Sequence, residues 1–379
     1  MFLKTGKPAP WFTTASTTNP NYHFGSVAGR YVLLSFLRSS NDKASQRFLE
    51  DLEQHHQIFD DEFCCFFGIS IDPEDQQLSR LQEKMPGIRF LWDFDCAISQ
   101  KFGVISQDGT YQRCTYILDE RLRVLTAIPF SDQPQNHVDQ LISTLSKLPK
   151  LPAAQMASVQ APILVVPRIF EAELCQALID YYCQHGGEVS GFMREQKGRT
   201  VHISDRSFKR RRDQEILDES LRNAAMFRIH DCLAPEIHKA FQFQATRIER
   251  HIVACYDSTS GGFFRPHRDN TTKGTAHRRF AVSLNLNTGE YDGGFLRFPE
   301  FGQQTYTAPA GGAVVFSCSL LHEATPVTKG CRYAYLPFLY DDDAAKIRAV
   351  NHQFIGEESQ TKGFQTKSRK STKKSKNKH

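Results

Sequence analysis

The chain has 379 residues, 40% of them hydrophobic and 23% charged, with 29 Phe. That length predicts two or three domains at roughly 100–200 residues each, and the apolar content is ample for globular folding. No run approaches the ~20 apolar residues of a bilayer span, and the first residues lack the apolar core of a secretory signal. A cytoplasmic location and no membrane span are therefore expected. The formal charge of +5 misleads, because residues 362–379 hold eight of the 47 basic residues and no acid, which leaves the remainder at −3. The ten cysteines show no Cys-x-x-Cys pair and no zinc-like spacing, so they read as small, buried, reduced side chains.

In chain order, Tyr31-Val32-Leu33-Leu34-Ser35-Phe36-Leu37 predicts a buried strand. Residues 44–59 predict a helix, with Phe48, Leu49, Leu52, His56 and Phe59 at spacings of three and four. A strand over 64–71 follows, then a helix opened by Asp72-Pro73 and running to about 85, a strand over 88–92 and a short helix over 97–102. Residues 114–118 and 124–128 read as a hairpin around Asp119-Glu120-Arg121-Leu122, and 138–148 as a closing helix. This alternation predicts an α/β unit over 1–150, a mixed sheet with helices on its faces.

Gly6-Lys7-Pro8-Ala9-Pro10-Trp11-Phe12 at the start, and Arg113-Cys114-Thr115-Tyr116-Ile117-Leu118-Asp119 before the hairpin, resemble the peroxiredoxin and thioredoxin-fold (redoxin) domains. The resemblance implies a peroxidatic cysteine just after the first core strand. This chain has Arg38-Ser39-Ser40-Asn41-Asp42-Lys43-Ala44-Ser45-Gln46-Arg47 there, with no thiol. A serine hydroxyl cannot stand in for a thiolate, so peroxide reduction by that route is not expected. Arg113 matches the family's active-site arginine and is left open as a relic, a structural ion pair or an anion site. A degenerate module serving binding or regulation is the expectation.

Prolines 149, 152 and 162 bracket a linker over 151–162, and the second domain is expected over 163–345. It begins with a strand over 162–167 and an amphipathic helix over 171–182 with Leu174, Leu178 and Tyr181 on one side. The basic run Lys209-Arg210-Arg211-Arg212 could face a substrate, but reads first as the solvated lead-in to a helix over about 215–233, with another over 235–241. From 246 to 340 the pattern is β: segments 248–256, 263–269, 280–286, 295–298, 305–308, 313–318 and 332–339 with Gly-rich turns. Together with the helices this predicts an α+β double-stranded β-helix of jelly-roll type.

His267 and Asp269 are two apart, which puts both side chains on one face of a strand. With His322 they form a set of two imidazoles and one carboxylate, the facial arrangement that holds non-haem Fe(II) and leaves three positions open. Arg332 opens an apolar strand, where a buried guanidinium calls for a carboxylate partner. His267-x-Asp269, His322 and Arg332, with Arg278-Arg279-Phe280-Ala281-Val282-Ser283-Leu284-Asn285 and Asp292-Gly293-Gly294-Phe295 between them, resemble the prolyl 4-hydroxylase-like branch of the Fe(II)/2-oxoglutarate dioxygenases over about 165–343. The resemblance implies Fe(II) on His267, Asp269 and His322, and 2-oxoglutarate and O2 as co-substrates. It also implies Arg332 on the distal carboxylate of 2-oxoglutarate, Tyr256 beside it, and L-ascorbate as a reductant. Asn285 lies on the small, polar face of its strand and could touch the co-substrate. A prolyl or other protein side chain is the implied substrate, with a small molecule as the alternative. His251, His277 and His352 are expected to be ordinary loop or surface residues. The runner-up is a non-catalytic interaction protein tethered by residues 346–379, a polar tail expected to be disordered and, from Lys362 to Lys378, capable of weak polyanion contact.

Overall fold

A computed structural model of the chain describes residues 1–130, 134–157 and 159–356. The basic tail from Lys362 lies outside the described residues.

The N-terminal sheet has five strands in the order Ile88–Trp92, Cys64–Ser70, Tyr31–Arg38, Cys114–Leu118 and Val124–Pro129. The first three run parallel and the last two return antiparallel as the hairpin. Every residue of Cys64–Ser70 is buried, as a central strand covered on both faces requires. Phe48 and Leu52 of the helix Lys43–Glu53 pack on one face with Val138 and Leu141 of the helix Pro134–Ser146, while Phe12, Phe24, Ile98 and Phe102 cover the other. This is a thioredoxin-like arrangement.

Two predicted helices are shorter than their apolar spacing suggested. The first stops at Glu53, and His56–Ile58 continues only as a 3-10 turn. Phe59 is still buried, but from a loop in which Asp60 Oδ1 accepts the Glu62 and Phe63 amides. The second covers only Pro73–Gln77, because Ser79 turns left-handed (φ 49°) and Arg80 folds back onto Glu74 and Asp75.

In the C-terminal unit two sheets face one another. The larger has the order Arg247–Glu249, Phe338–Tyr340, Phe280–Asn285, Cys331–Tyr335, Ile252–Asp257, Arg212–Glu215 and Glu188–Val189, and it also carries Ala313–Ser317 and Ile163–Val166. The smaller runs Lys209–Arg210, Phe263–His267, His322–Ala324, Leu296–Arg297 and Thr305–Tyr306. The helix Ala172–His185 buries Cys175, Leu178 and Tyr182, one register step from the predicted face. With Ile229 and Ile237 it covers the outer side of the larger sheet through Val253, Val282 and Leu284. The jelly-roll space between the sheets is left to the site.

Three sequence expectations change here. The basic run is strand, not helix lead-in, and helix begins only at Glu219, after the Asp218 cap, with a π segment over Ile229–Leu233. The predicted strand 248–256 breaks at Arg250, whose φ is 55°. His277 is buried rather than in a surface loop and shares Glu249 with Arg278.

His137 is fully enclosed between Phe48 and Phe130, with Nε2 at 2.9 Å from Thr115 Oγ1. Burial pushes its pKa down to about 4. Between about 6.5 and 4 the unfolded chain takes up a proton that the native state refuses, so this contribution is intact above 6.5 and is lost as pH falls. Urea unfolding of the whole chain should lose about 3 kcal/mol from this group across that window. The loss should be missing from His137→Asn, and equal slopes in the two proteins would refute it.

Candidate metal centre

The smaller sheet assembles the centre. Phe263–His267 and His322–Ala324 pair antiparallel with His267 opposite His322, so two residues 55 positions apart become cross-strand neighbours. A register shift between Phe264 and His267 accommodates Pro266, which has no N–H for the ladder. The His267 ring stacks on Phe264 at 3.5 Å between centroids, and His322 packs on Phe316 at 4.5 Å. Just past the strand, the Asp269 amide donates to Cys318 O at 3.0 Å and brings its carboxylate between the imidazoles.

His267 Nε2 lies 3.5 Å from Asp269 Oδ1, and His322 Nε2 lies 3.3 Å from Asp269 Oδ2. All three ligand atoms fall within 4.8 Å of one another. The opposite ring nitrogens decide the tautomers. His267 Nδ1 meets Arg265 O at 2.7 Å and His322 Nδ1 meets Leu320 O at 3.0 Å; a carbonyl only accepts, so each Nδ1 carries the proton and each Nε2 keeps its lone pair for the centre. Burial and the His322 neighbour hold His267 down to about 4 against the pull of Asp269. Burial would raise Asp269, but the histidines, whenever they carry a second proton, hold it well below the usual carboxylate range, so the carboxylate is ionised. Two neutral Nε2 atoms and an ionised carboxylate, with second partners already fixed, fit a divalent transition metal such as Fe(II).

Arg332, 2% exposed, lies opposite Tyr256 on the neighbouring strand. Its Nη2 donates to Ser283 Oγ (2.7 Å) and Asn285 Oδ1 (3.1 Å), and its guanidinium sits 5.1 Å from the Tyr256 ring centre. Gly294, at φ 65°, makes room for it: a Cβ there would lie 2.7 Å from Val327 and 3.0 Å from Arg332 Cδ. Among the described residues no carboxylate forms an ion pair with Arg332. Asn285 points its carbonyl at Arg332 and uses its amide on Thr307 Oγ1 and Ala308 O, so it orients the guanidinium. Tyr256 lines the cavity, and its hydroxyl accepts from Arg211 at 3.3 Å.

The cavity between the sheets has a volume of about 560 Å³ and is lined by the three ligand candidates, Arg332, Tyr256 and two members of the basic run that was read first as solvated. In the basic run, Lys209 and Arg211 turn inward and are buried while Arg210 and Arg212 turn outward. Arg211 forms a two-pronged pair with Asp213, 2.6 Å at each prong. The sequence offers no signal for this split, because inward and outward positions alike are cationic and an inward face built of cations carries no hydrophobic trace.

At the redoxin site, Ser45 is buried in the first turn of its helix and donates to Leu37 O and Asp42 Oδ2. Asp42 caps that helix through the Ala44 and Ser45 amides and takes Arg113 at 2.6 Å. Arg113 thus forms an ion pair with Asp42.

Comparison with known proteins finds a family match in each part of the chain. Residues 251–340 match the family described as the 2OG-Fe(II) oxygenase superfamily, and residues 5–127 match the AhpC/TSA family. A PKHD-type hydroxylase of Synechococcus sp. (strain JA-2-3B'a(2-13)) is 29% identical over 127 residues, 30% of this chain and 56% of that one. The chain thus spans about half the length of the curated relatives it matches, or less. A Pseudomonas putida prolyl-4-hydroxylase structure is similar at 20% identity, covering 47% of this chain and 92% of that one with a TM-score of 0.36. The peroxidoxin BcpB of Mycobacterium tuberculosis is similar at 20% identity, covering 39% and 99% with a TM-score of 0.33. No helix among the described residues is long and apolar enough to cross a membrane.

If the triad is a metal centre, calorimetric titration of the metal-stripped chain with Fe(II) under argon should give one site per chain. His322→Ala should weaken it by more than the ~10–100-fold that outer-shell changes cost. Equal affinity in both proteins would rule the triad out.

Proposed function

We propose that this chain, which joins an AhpC/TSA domain at residues 5–127 to a 2OG-Fe(II) oxygenase domain at 251–340, is an iron- and 2-oxoglutarate-dependent dioxygenase that hydroxylates its substrate. The observation that carries the proposal is that His267, Asp269, His322 and Arg332, dispersed over 66 residues of sequence, all line one cavity. In this reading His267, Asp269 and His322 hold Fe(II). Iron together with 2-oxoglutarate and O2 supplies the oxidising power that replaces a C–H by C–OH, while the 2-oxo acid leaves as succinate and CO2.

The chain's own residues do the rest. Arg332 receives the distal carboxylate of 2-oxoglutarate on the prongs that Ser283 and Asn285 leave free, and these two fix the plane of the fork. Tyr256, held by Arg211, closes the side of that subsite. Phe264, Leu296, Phe316 and Phe338 wall the cavity and keep water from the reacting atoms. The acceptor is read as a prolyl or other side chain of a protein, with L-ascorbate returning iron to Fe(II); both rest on the motif resemblance. The redoxin domain is read as non-peroxidatic, because Ser45 holds the nucleophile position and Asp42 already neutralises Arg113.

Purified protein given Fe(II), 2-oxoglutarate and O2 should form succinate, slowly even without a substrate. His267→Ala should fall to background, and the assignment fails if the two proteins turn over equally. Arg332→Gln should raise the KM for 2-oxoglutarate roughly 10–100-fold, the scale of one charged two-pronged contact. Thiol-dependent consumption of hydrogen peroxide should not exceed the protein-free rate; a measurable rate would mean another residue supplies a nucleophile.

A further inference from the structure

The charges around the cavity do not balance when they are paired off. Arg211 is matched by Asp213, Arg278 by Glu249, and Arg268 by Glu300. On the reading above, Fe(II), Asp269, 2-oxoglutarate and Arg332 sum to zero. Two lining cations, Lys209 and Arg250, and one lining acid, Glu215, are left, an excess of one positive charge, and among the described residues neither cation forms an ion pair with a carboxylate. They are not equivalent. Lys209 Nζ is held by Ser190 Oγ at 2.6 Å and Gly191 O at 2.5 Å, and an ammonium can shed its charge by losing a proton. A guanidinium cannot.

Among the described residues Arg250 has one hydrogen bond, from Nε to Leu336 O at 3.0 Å, and neither terminal nitrogen of its fork meets an acceptor there. Its backbone is left-handed (φ 55°), a costly conformation for a non-glycine residue, and it opens the two-residue break between the strands Arg247–Glu249 and Ile252–Asp257. The guanidinium lies over the Phe338 ring at 4.4 Å, and Arg278 lies on the same ring at 4.0 Å. Arg278 also reaches Asp269 O at 3.4 Å, so Arg250 shares an aromatic ring with a residue that touches the metal triad. Burial, with the Arg211 and Arg278 cations, holds Arg250 down to about 10.

Resting on the oxygenase reading, we propose that Arg250 is the anchor for a carboxylate of the substrate, so that the molecule hydroxylated is an acid bound with its carboxylate beside Phe338. The planar fork takes a carboxylate on two parallel bonds and, next to the triad, sets which carbon of the acid faces the metal. The carboxylate can belong to a free acid or to an acidic side chain of a peptide, and either supplies the missing negative charge.

The test uses the full chain with Fe(II) and 2-oxoglutarate under argon, so that nothing turns over. The visible absorption of Fe(II) chelated by a 2-oxo acid reports on the underlying reading, and its absence from the wild type would refute that reading rather than this one. The loaded protein is titrated calorimetrically with N-acetyl-L-proline against N-acetyl-L-prolinamide, and with acetyl-Glu-Pro-Gly-amide against acetyl-Gln-Pro-Gly-amide. At least one acid should bind about tenfold tighter than its amide, and the pair that discriminates tells a free acid from an acidic side chain. In Arg250→Gln the ratio should fall below about two. Without probes, Arg250→Gln should melt no lower than the wild type, since it removes an uncompensated charge. No preference for either acid, whether through equal binding or none, overturns the inference. So does a preference that survives in Arg250→Gln, or a clear fall in its Tm, which would mark Arg250 as structural.

Discussion

The site depends on one piece of strand pairing, the antiparallel contact that sets His267 opposite His322. Cross-strand partners are held within a few ångströms by the backbone ladder itself, so the two imidazoles meet without any special side-chain contact. What the side chains add is orientation. Phe264 under His267 and Phe316 against His322 fix the ring planes, and the carbonyls of Arg265 and Leu320 fix the tautomers. A one-residue slip in this register would turn either imidazole to the other face of the sheet, which makes the smaller sheet far less tolerant of change than its few short strands suggest.

The parts that were legible in the sequence share one physical property: their signal is local. His267-x-Asp269 is a spacing within one strand, Phe280–Asn285 shows apolar and small residues in alternation, and the buried N-terminal strands are continuous apolar runs. The parts that were missed depend on partners remote in sequence. Lys209 and Arg211 looked like a solvated run because nothing local says that Ser190 and Tyr256 will face them. Arg250 looked like mid-strand, and only the turn into the cavity shows otherwise. His277 looked like a loop histidine, yet Glu249 needs it, together with Arg278, to stay ionised while buried; burial opposes that charge and these two restore it.

Charge placement divides the C-terminal unit into regions with different freedom. Where cation and acid are both supplied by the chain, as in Arg211 with Asp213 or Arg278 with Glu249, the pair is complete and its geometry is set before any ligand arrives. Where only the cation is supplied, as at Arg332, the chain holds the guanidinium with neutral oxygens from Ser283 and Asn285. Neutral acceptors position a fork without discharging it, so the attraction is kept for an anion from outside. The same distinction sets the redoxin site apart: Asp42 discharges Arg113 within the chain, and a cation already paired offers little to an incoming anion or peroxide.

The two units are joined by the same chemistry used in the opposite sense. Arg123, fully buried in the N-terminal hairpin, donates to the carbonyls of Gly6, Pro167 and Arg168, and Arg228 of the C-terminal unit donates to those of Ile169 and Thr5. Asp119 and Arg168 add an ion pair beside them. Backbone carbonyls are present at every residue, so an interface built on them leaves no pattern in the sequence. It does impose a geometry. Pro167 directly follows the strand Ile163–Val166, which pairs with Ala313–Ser317, and that strand pairs with Phe280–Asn285, the carrier of Ser283 and Asn285. The N-terminal hairpin therefore buttresses, through two strand pairings, the strand that holds Arg332. Removing the N-terminal unit would take away the Thr5 carbonyl that Arg228 donates to and free Pro167, at the end of the strand Ile163–Val166, from its contact with Arg123.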